Sequence, residues 1–142
     1  MCGILSVLRY NEFSCGSIDD IKKNFDNHSE RGPEQSSFIQ EDINNHSHLL
    51  GFHRLAINGF QQEDSMQPIY KKNCILICNG EIYNWKELAI KAGVYCKTGS
   101  DCEIIIDIYK KYGIEYTLQL LDGVFAFVLI DKEDNSIIIA RD

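Results

Sequence analysis

Apolar and polar positions along the chain fall into short runs with two different periods. Residues 2–8 are apolar with a β-branched member and read as a buried strand. Residues 17–27 set Ile18, Ile21 and Phe25 on one helical face, with Ser17 placed to cap and Asp19 and Asp20 at the positive end. Residues 29–35, carrying Arg31-Gly32-Pro33, read as a turn. Residues 36–40 and 47–57 read as strands around a polar turn with Asn44-Asn45 near its end, and residues 58–66 as a loop. Residues 74–78 form a short buried strand. Trp85–Ala92 then reads as a helix with Asn84 as cap and Gly93 as terminator. Ser100-Asp101-Cys102-Glu103 fits a capping box before a second helix, Ile104–Tyr112, which Gly113 ends. Residues 114–121 read as a further short helix. Residues 124–130 and 136–140 read as antiparallel strands joined by a turn at 132–135. Strands at both ends, with helices between them, predict packed sheets with helical layers.

Composition narrows the class. With 142 residues, 44% hydrophobic and 25% charged, the chain has the makeup of one ordinary soluble domain able to bury a core. A net charge of -7 argues against a surface that neutralises phosphates, so nucleic acid is not an expected partner. No apolar run approaches the roughly 20 residues that cross a bilayer, and the N-terminus lacks the basic start of a signal peptide. The expected location is the cytoplasm, with no membrane association. The six cysteines are then expected as free thiols, most of them small core residues. None forms a CxxC pair, and no metal site is expected.

Four places carry candidate chemistry, each beside a plainer explanation. Cys2 becomes the N-terminal residue if Met1 is removed, uniting a thiol and an α-amine, with reference pKa values of about 8.5 and 7.7–8.0. The amine can then act as base for its own nucleophile; alternatively Cys2 simply opens a buried strand. Asn79-Gly80 between apolar runs is a strong type I′ hairpin signal. The same pair offers a side-chain amide and a backbone N–H to a developing oxyanion. Arg54, in an otherwise apolar strand, either reaches solvent or clamps a carboxylate. Asp101 is either part of a helix cap or a counter-charge for an ammonium group.

The sequence resembles the class II, N-terminal nucleophile glutamine amidotransferases, and most closely the glutaminase half of the asparagine synthetases. The stretches that carry the resemblance are Met1-Cys2-Gly3-Ile4, Arg31-Gly32-Pro33, His53-Arg54-Leu55-Ala56-Ile57, Gln67-Pro68, Asn79-Gly80-Glu81-Ile82-Tyr83-Asn84, Thr98-Gly99-Ser100-Asp101-Cys102-Glu103, Leu121-Asp122-Gly123-Val124-Phe125-Ala126-Phe127 and Ala140-Arg141-Asp142. They occur in the family's order along the whole chain. The resemblance implies an α+β fold, a four-layer αββα sandwich of the N-terminal nucleophile hydrolase type. It implies that Cys2 attacks the side-chain amide of glutamine, that Asn79 and Gly80 stabilise the oxyanion, and that the products are glutamate and ammonia. Arg54 then binds the substrate carboxylate, Glu81 and Asp101 its ammonium, while Leu55, Ala56, Ile57 and Asn58 line the pocket. The glutaminase step needs no cofactor. ATP and Mg²⁺ belong to a synthetase domain, absent from residues 1–142, that receives ammonia and makes asparagine from aspartate.

Several positions depart from the family pattern. Glu30 stands where the family has a His before Arg-Gly-Pro, Glu34 where it has an Asp, and Asn58-Gly59 where Val-Asp or similar is common. The family's Arg-Asp pair also continues into further strands, so the glutaminase domain is expected to be C-terminally incomplete at Asp142. Two alternatives stay open: a non-catalytic glutamine-binding or regulatory fragment, and the same chemistry serving another acceptor. The resemblance also leaves open a homodimer.

Overall fold

A computed structural model describes residues 2–55 and 65–142. The chain divides into two compact units, Met1–Ala56 and Ile57–Asp142.

The first unit is built on β1 (Gly3–Tyr10), α1 (Glu12–Cys15), α2 (Ile18–Asp26), β2 (Gln35–Ile43) and β3 (His46–Arg54). The strands form an antiparallel sheet in the order β1-β3-β2. Ser17 caps α2 as its position predicts, accepting from the Asp20 N–H at 3.2 Å while its hydroxyl donates to the Asp20 carboxylate at 2.6 Å. The apolar face of α2 ends in buried Phe25, which stacks on the His53 ring at 3.8 Å between centroids and meets Phe38 at 5.7 Å. Gly51 makes room for that helix. A Cβ there would lie 2.7 Å from the Phe25 ring.

Strand β2 runs to Ile43, three residues beyond the strand expected over residues 36–40. It is an edge strand, so polar Glu41 and Asp42 continue the ladder without needing burial. The reversal is the two-residue Asn44-Asn45, both at positive φ (50° and 63°), the geometry of a type I′ hairpin turn. Helix α1 was not anticipated. It has no buried residue and is set by Asn11, whose side chain accepts from the Phe13 N–H.

The second unit contains β4 (Ile69–Lys71), β5 (Cys74–Ile82), α3 (Trp85–Ala92), α4 (Ile104–Tyr112), α5 (Ile114–Leu120), β6 (Gly123–Asp131) and β7 (Ser136–Arg141). Its sheet is antiparallel, in the order β4-β5-β6-β7. Cys74, Leu76, Cys78 and Ile82 share one face of β5. They pack with Leu88 and Ala92 of α3, with Ile104, Ile105 and Ile108 of α4, and with Phe127 of β6. All six cysteines are free thiols. Among the described residues no helix is long and apolar enough to cross a membrane.

Three local expectations are corrected here. Asn79-Gly80 is not a hairpin turn: β5 continues through it, pairing Asn79 with Ala126 and Gly80 with Phe125. The strand persists because Gly80 lies flat against β6, where a Cβ would come within 2.6 Å of the Phe125 Cα. The positive-φ reversal is instead Lys72-Asn73, between β4 and β5. Asn84 precedes α3 as expected, but its side chain makes no cap. It donates to the Leu120 carbonyl at 2.8 Å and accepts from the Asp122 N–H at 3.2 Å, joining α3 to the end of α5. The capping box is only half formed. Ser100 accepts from the Cys102 N–H, but the Glu103 carboxylate binds the Thr98 N–H and hydroxyl at 2.7 and 2.8 Å, and a short 3₁₀ turn separates the cap from α4.

Candidate active site

In the first unit, β1 and β3 bring three expected site residues together. Gly3 pairs with His53 and Ile4 with Phe52, so continuing the register by one residue sets Cys2 opposite Arg54. Both then lie on the face that carries Ile4 and Phe52, away from α2. The Cys2 thiol is held by the backbone of Leu55. Its Sγ accepts from the Leu55 N–H at 3.3 Å and lies 3.5 Å from the Leu55 carbonyl, to which the S–H can donate. Cys2 is half-buried, while Arg54 is only 9% exposed, a burial a guanidinium tolerates when its charge is met.

This end of the sheet is fixed by residues to which the sequence reading gave no role. His53 is buried. Its Nε2 lies 2.9 Å from the Phe25 carbonyl, which can only accept, so this nitrogen carries the proton. Nδ1 is hydrogen-bonded to the Ser36 hydroxyl at 2.6 Å. The ring thereby ties α2 and β2 to the residue beside Arg54. Arg31-Gly32-Pro33 packs directly on the β3 backbone, where Pro33 bridges Arg54 and any Cβ on Gly32 would collide with the His53 carbonyl. The only sequence signal for these roles was membership of motif stretches.

In the second unit, Asn79, Gly80 and Glu81 are consecutive on β5. Asn79 and Glu81 lie on the sheet face opposite Cys78 and Ile82. The Asn79 Oδ1 is buried, with no hydrogen-bond partner among the described residues. A buried amide oxygen left unmatched is costly, of order 1–3 kcal/mol, and such costs gather at functional positions. Backbone alternation decides where Gly80 points. Cys78 bonds to Gln67, and the Ile82 N–H donates to the Asp101 Oδ2 at 2.6 Å, so both face away from β6. Gly80, between them, turns its N–H to the same edge. Asp101 is 5% exposed and anchors that edge.

Ala56, Ile57 and Asn58 lie outside the described residues. Arg54, Cys2 and Leu55 converge within the first unit, and Asn79, Gly80, Glu81 and Asp101 within the second.

The described residues include one group with metal-ligand chemistry. Cys96, Glu103 and Asp107 bring ligand atoms within 4.8 Å of one another. The protein supplies its own cation there. Lys71 pairs with Glu103 and, at 2.7 Å, with Asp107, which also binds Lys72 at 2.9 Å. Two ammonium groups already meet the carboxylates, so this cluster does not fit a Mg²⁺ ion. Burial pushes the Cys96 thiol up to about 11, and neighbouring Glu103 and Asp107 push the same way, making it a poor ligand and nucleophile.

A family model described as a glutamine amidotransferase domain matches residues 1–142. The chain is 41% identical over 146 residues to the glutamine-hydrolysing asparagine synthetase of Zea mays, covering all of this chain and 24% of that protein. Identity is 39% over 146 residues with the Gallus gallus enzyme of the same name, covering 100% and 25%, and 37% over 145 residues with asparagine synthetase 1 of Arabidopsis thaliana, covering 100% and 24%. The chain thus spans about a quarter of the length of these relatives. Among solved structures, the glutamine phosphoribosylpyrophosphate amidotransferase of B. subtilis, complexed with ADP and GMP, aligns with a TM-score of 0.54 and 24% identity, over 67% of this chain and 23% of that one. That likeness concerns fold, and it agrees with the α+β class seen here in two antiparallel sheets with helices. On these grounds the chain belongs to the glutamine amidotransferase domain family.

Proposed function

We propose that the chain is the glutaminase part of an asparagine synthetase-like enzyme, hydrolysing the side-chain amide of L-glutamine to glutamate and ammonia. The observation that carries this reading is the Cys2 thiol, set between the N–H and C=O of Leu55 at the end of the sheet that bears Arg54. Cys2 Sγ attacks the amide carbon, and its proton passes to the α-amine freed when Met1 is removed. The tetrahedral oxyanion accepts hydrogen bonds from the Asn79 amide and the Gly80 N–H. The protonated amine gives its proton to the departing ammonia as a γ-glutamyl thioester forms. Water then releases glutamate. Arg54 holds the α-carboxylate and Glu81 and Asp101 the α-ammonium, with residues 55–58 along the pocket.

The ammonia would pass to a synthetase part, which would use ATP and Mg²⁺ to make asparagine from aspartate. The relatives' names favour this acceptor. The glutaminase step draws on neither, and the setting is cytoplasmic. A γ-electrophilic glutamine analogue tests the reading. It should add one label, on Cys2, and excess L-glutamine should protect against it. Labelling spread over several cysteines, or indifferent to glutamine, would contradict the reading.

A further inference from the structure

Strand β5 outruns its partner on one side. The ladder with β4 pairs Ile69 with Leu76, Tyr70 with Ile75 and Lys71 with Cys74. Continuing that register puts residue 67 opposite Cys78, whose backbone N–H and C=O both turn to this edge. At this point a side chain replaces the strand. The Gln67 amide, 5% exposed, accepts from the Cys78 N–H at 2.5 Å and donates to the Cys78 carbonyl at 3.0 Å. It satisfies both backbone groups as a neighbouring strand would.

The next two residues are Asn79 and Gly80. On the same edge, the Gly80 carbonyl meets the Cys102 Sγ at 4.0 Å and the Ile82 N–H meets Asp101. The stretch that aims the Gly80 N–H is therefore pinned by Gln67 before it and by Asp101 after it. Asn79 has less to orient it. Its Oδ1 has no partner among the described residues, so the direction of its amide depends on how firmly the backbone is held.

We propose that Gln67 is a positioning residue for the oxyanion donors: its amide fixes the Cys78 backbone and so aims the Asn79 amide and the Gly80 N–H. This rests on the reading above, in which those two groups stabilise the tetrahedral intermediate. Gln67 touches no reacting atom and acts through β5.

The test is steady-state glutamine hydrolysis by the full chain, comparing wild type, Gln67→Met, Asn79→Ala and the double variant. Gln67→Met keeps the length and removes both hydrogen bonds. Oxyanion donors act in the transition state, so kcat should fall about 10- to 100-fold while KM stays within about 2-fold. Because Gln67 acts through Asn79 and its neighbour, the double variant should lose much less than the product of the two single losses. Gln67→Glu, which keeps the acceptor for the Cys78 N–H, should show an intermediate kcat, and it carries the test if Gln67→Met does not fold. If Asn79→Ala is impaired but the Gln67 variants keep wild-type kcat, or the two losses multiply, the positioning role is overturned. If Asn79→Ala itself keeps wild-type kcat, the oxyanion reading falls first and takes this proposal with it.

Discussion

A thiol bonded to a peptide N–H and a peptide C=O has a partner in either ionisation state. As a thiol Cys2 donates to the Leu55 carbonyl, and as a thiolate it accepts the Leu55 N–H. The remaining requirement is a base, and the account assigns that to the α-amine. Glutamine turnover should therefore fall as pH drops through the titration of that amine, and a rate independent of pH there would point to a different base. Simple alkylating reagents should behave differently from a glutamine analogue. Cys15 is exposed, and hydrogen bonds at the Asn11 backbone and the Ser14 hydroxyl draw its thiol below the ordinary value, so it should react with iodoacetamide alongside Cys2. Burial, reinforced by Asp131, pushes the Cys74 thiol up to about 11, and it should stay unmodified. Peptide mass mapping after brief alkylation at neutral pH checks this. His53 is the other residue on which the site leans. His53→Phe keeps the stack on Phe25 but strands the Ser36 hydroxyl and the Phe25 carbonyl, and should lower stability by about 1–3 kcal/mol in urea unfolding.

At the level of elements, glycine marks where backbones touch. Gly32→Ala would drive a methyl group into the His53–Arg54 backbone and Gly80→Ala one into β6; each should destabilise its unit by about 1–3 kcal/mol or more, read as a lower denaturant midpoint. This also explains which elements could be read from sequence. Helices α3 and α4 were legible to the residue because an apolar stripe, a terminating Gly and flanking polar residues agree. Asn79-Gly80 misled because its local preference is for a turn, whereas its partner strand decides otherwise. The pairing of nine residues of β5 with β6 outweighs a two-residue signal. Strand β4, three residues long, left no periodic trace. The candidate site could be proposed from motifs, but the supports from His53 and Gln67 could not, since they depend on register and contact rather than spacing.

Over the whole molecule, buried charges set the pH range of stability. Burial would raise the Glu103 carboxyl, but Lys71 and the Thr98 N–H and hydroxyl outweigh it and hold it below its ordinary 4.5. Asp131 is likewise held below 3.8, with burial opposed by Lys110, the Glu133 N–H and Tyr109. A depressed carboxyl contributes stability above its ordinary value that is lost as pH falls through its lowered one. Lys71 is displaced the other way: burial would lower it, but bonds to Asp107 and Glu103 raise it above 10.5. Its contribution is present below that value and lost as pH rises through the raised one. Two further sets of groups narrow the range between these limits. Burial lowers His48 below its ordinary 6.5, so the unfolded chain takes up that proton first as pH falls. Burial raises the Cys74 and Cys96 thiols to about 11, so the unfolded chain loses those protons first as pH rises past about 9. Stability should therefore be highest between about pH 7 and 8.5 and fall on both sides, as urea midpoints across pH would record. Lys71→Met leaves Glu103 without its ammonium partner and Asp107 with only Lys72, and should cost about 3–5 kcal/mol. The central claim concerns chemistry, and one assay meets it directly: glutamate released from L-glutamine by the chain beginning at Cys2, beside the same chain carrying Cys2→Ala. The account predicts turnover by the first and none by the second, and equal release by both would contradict it.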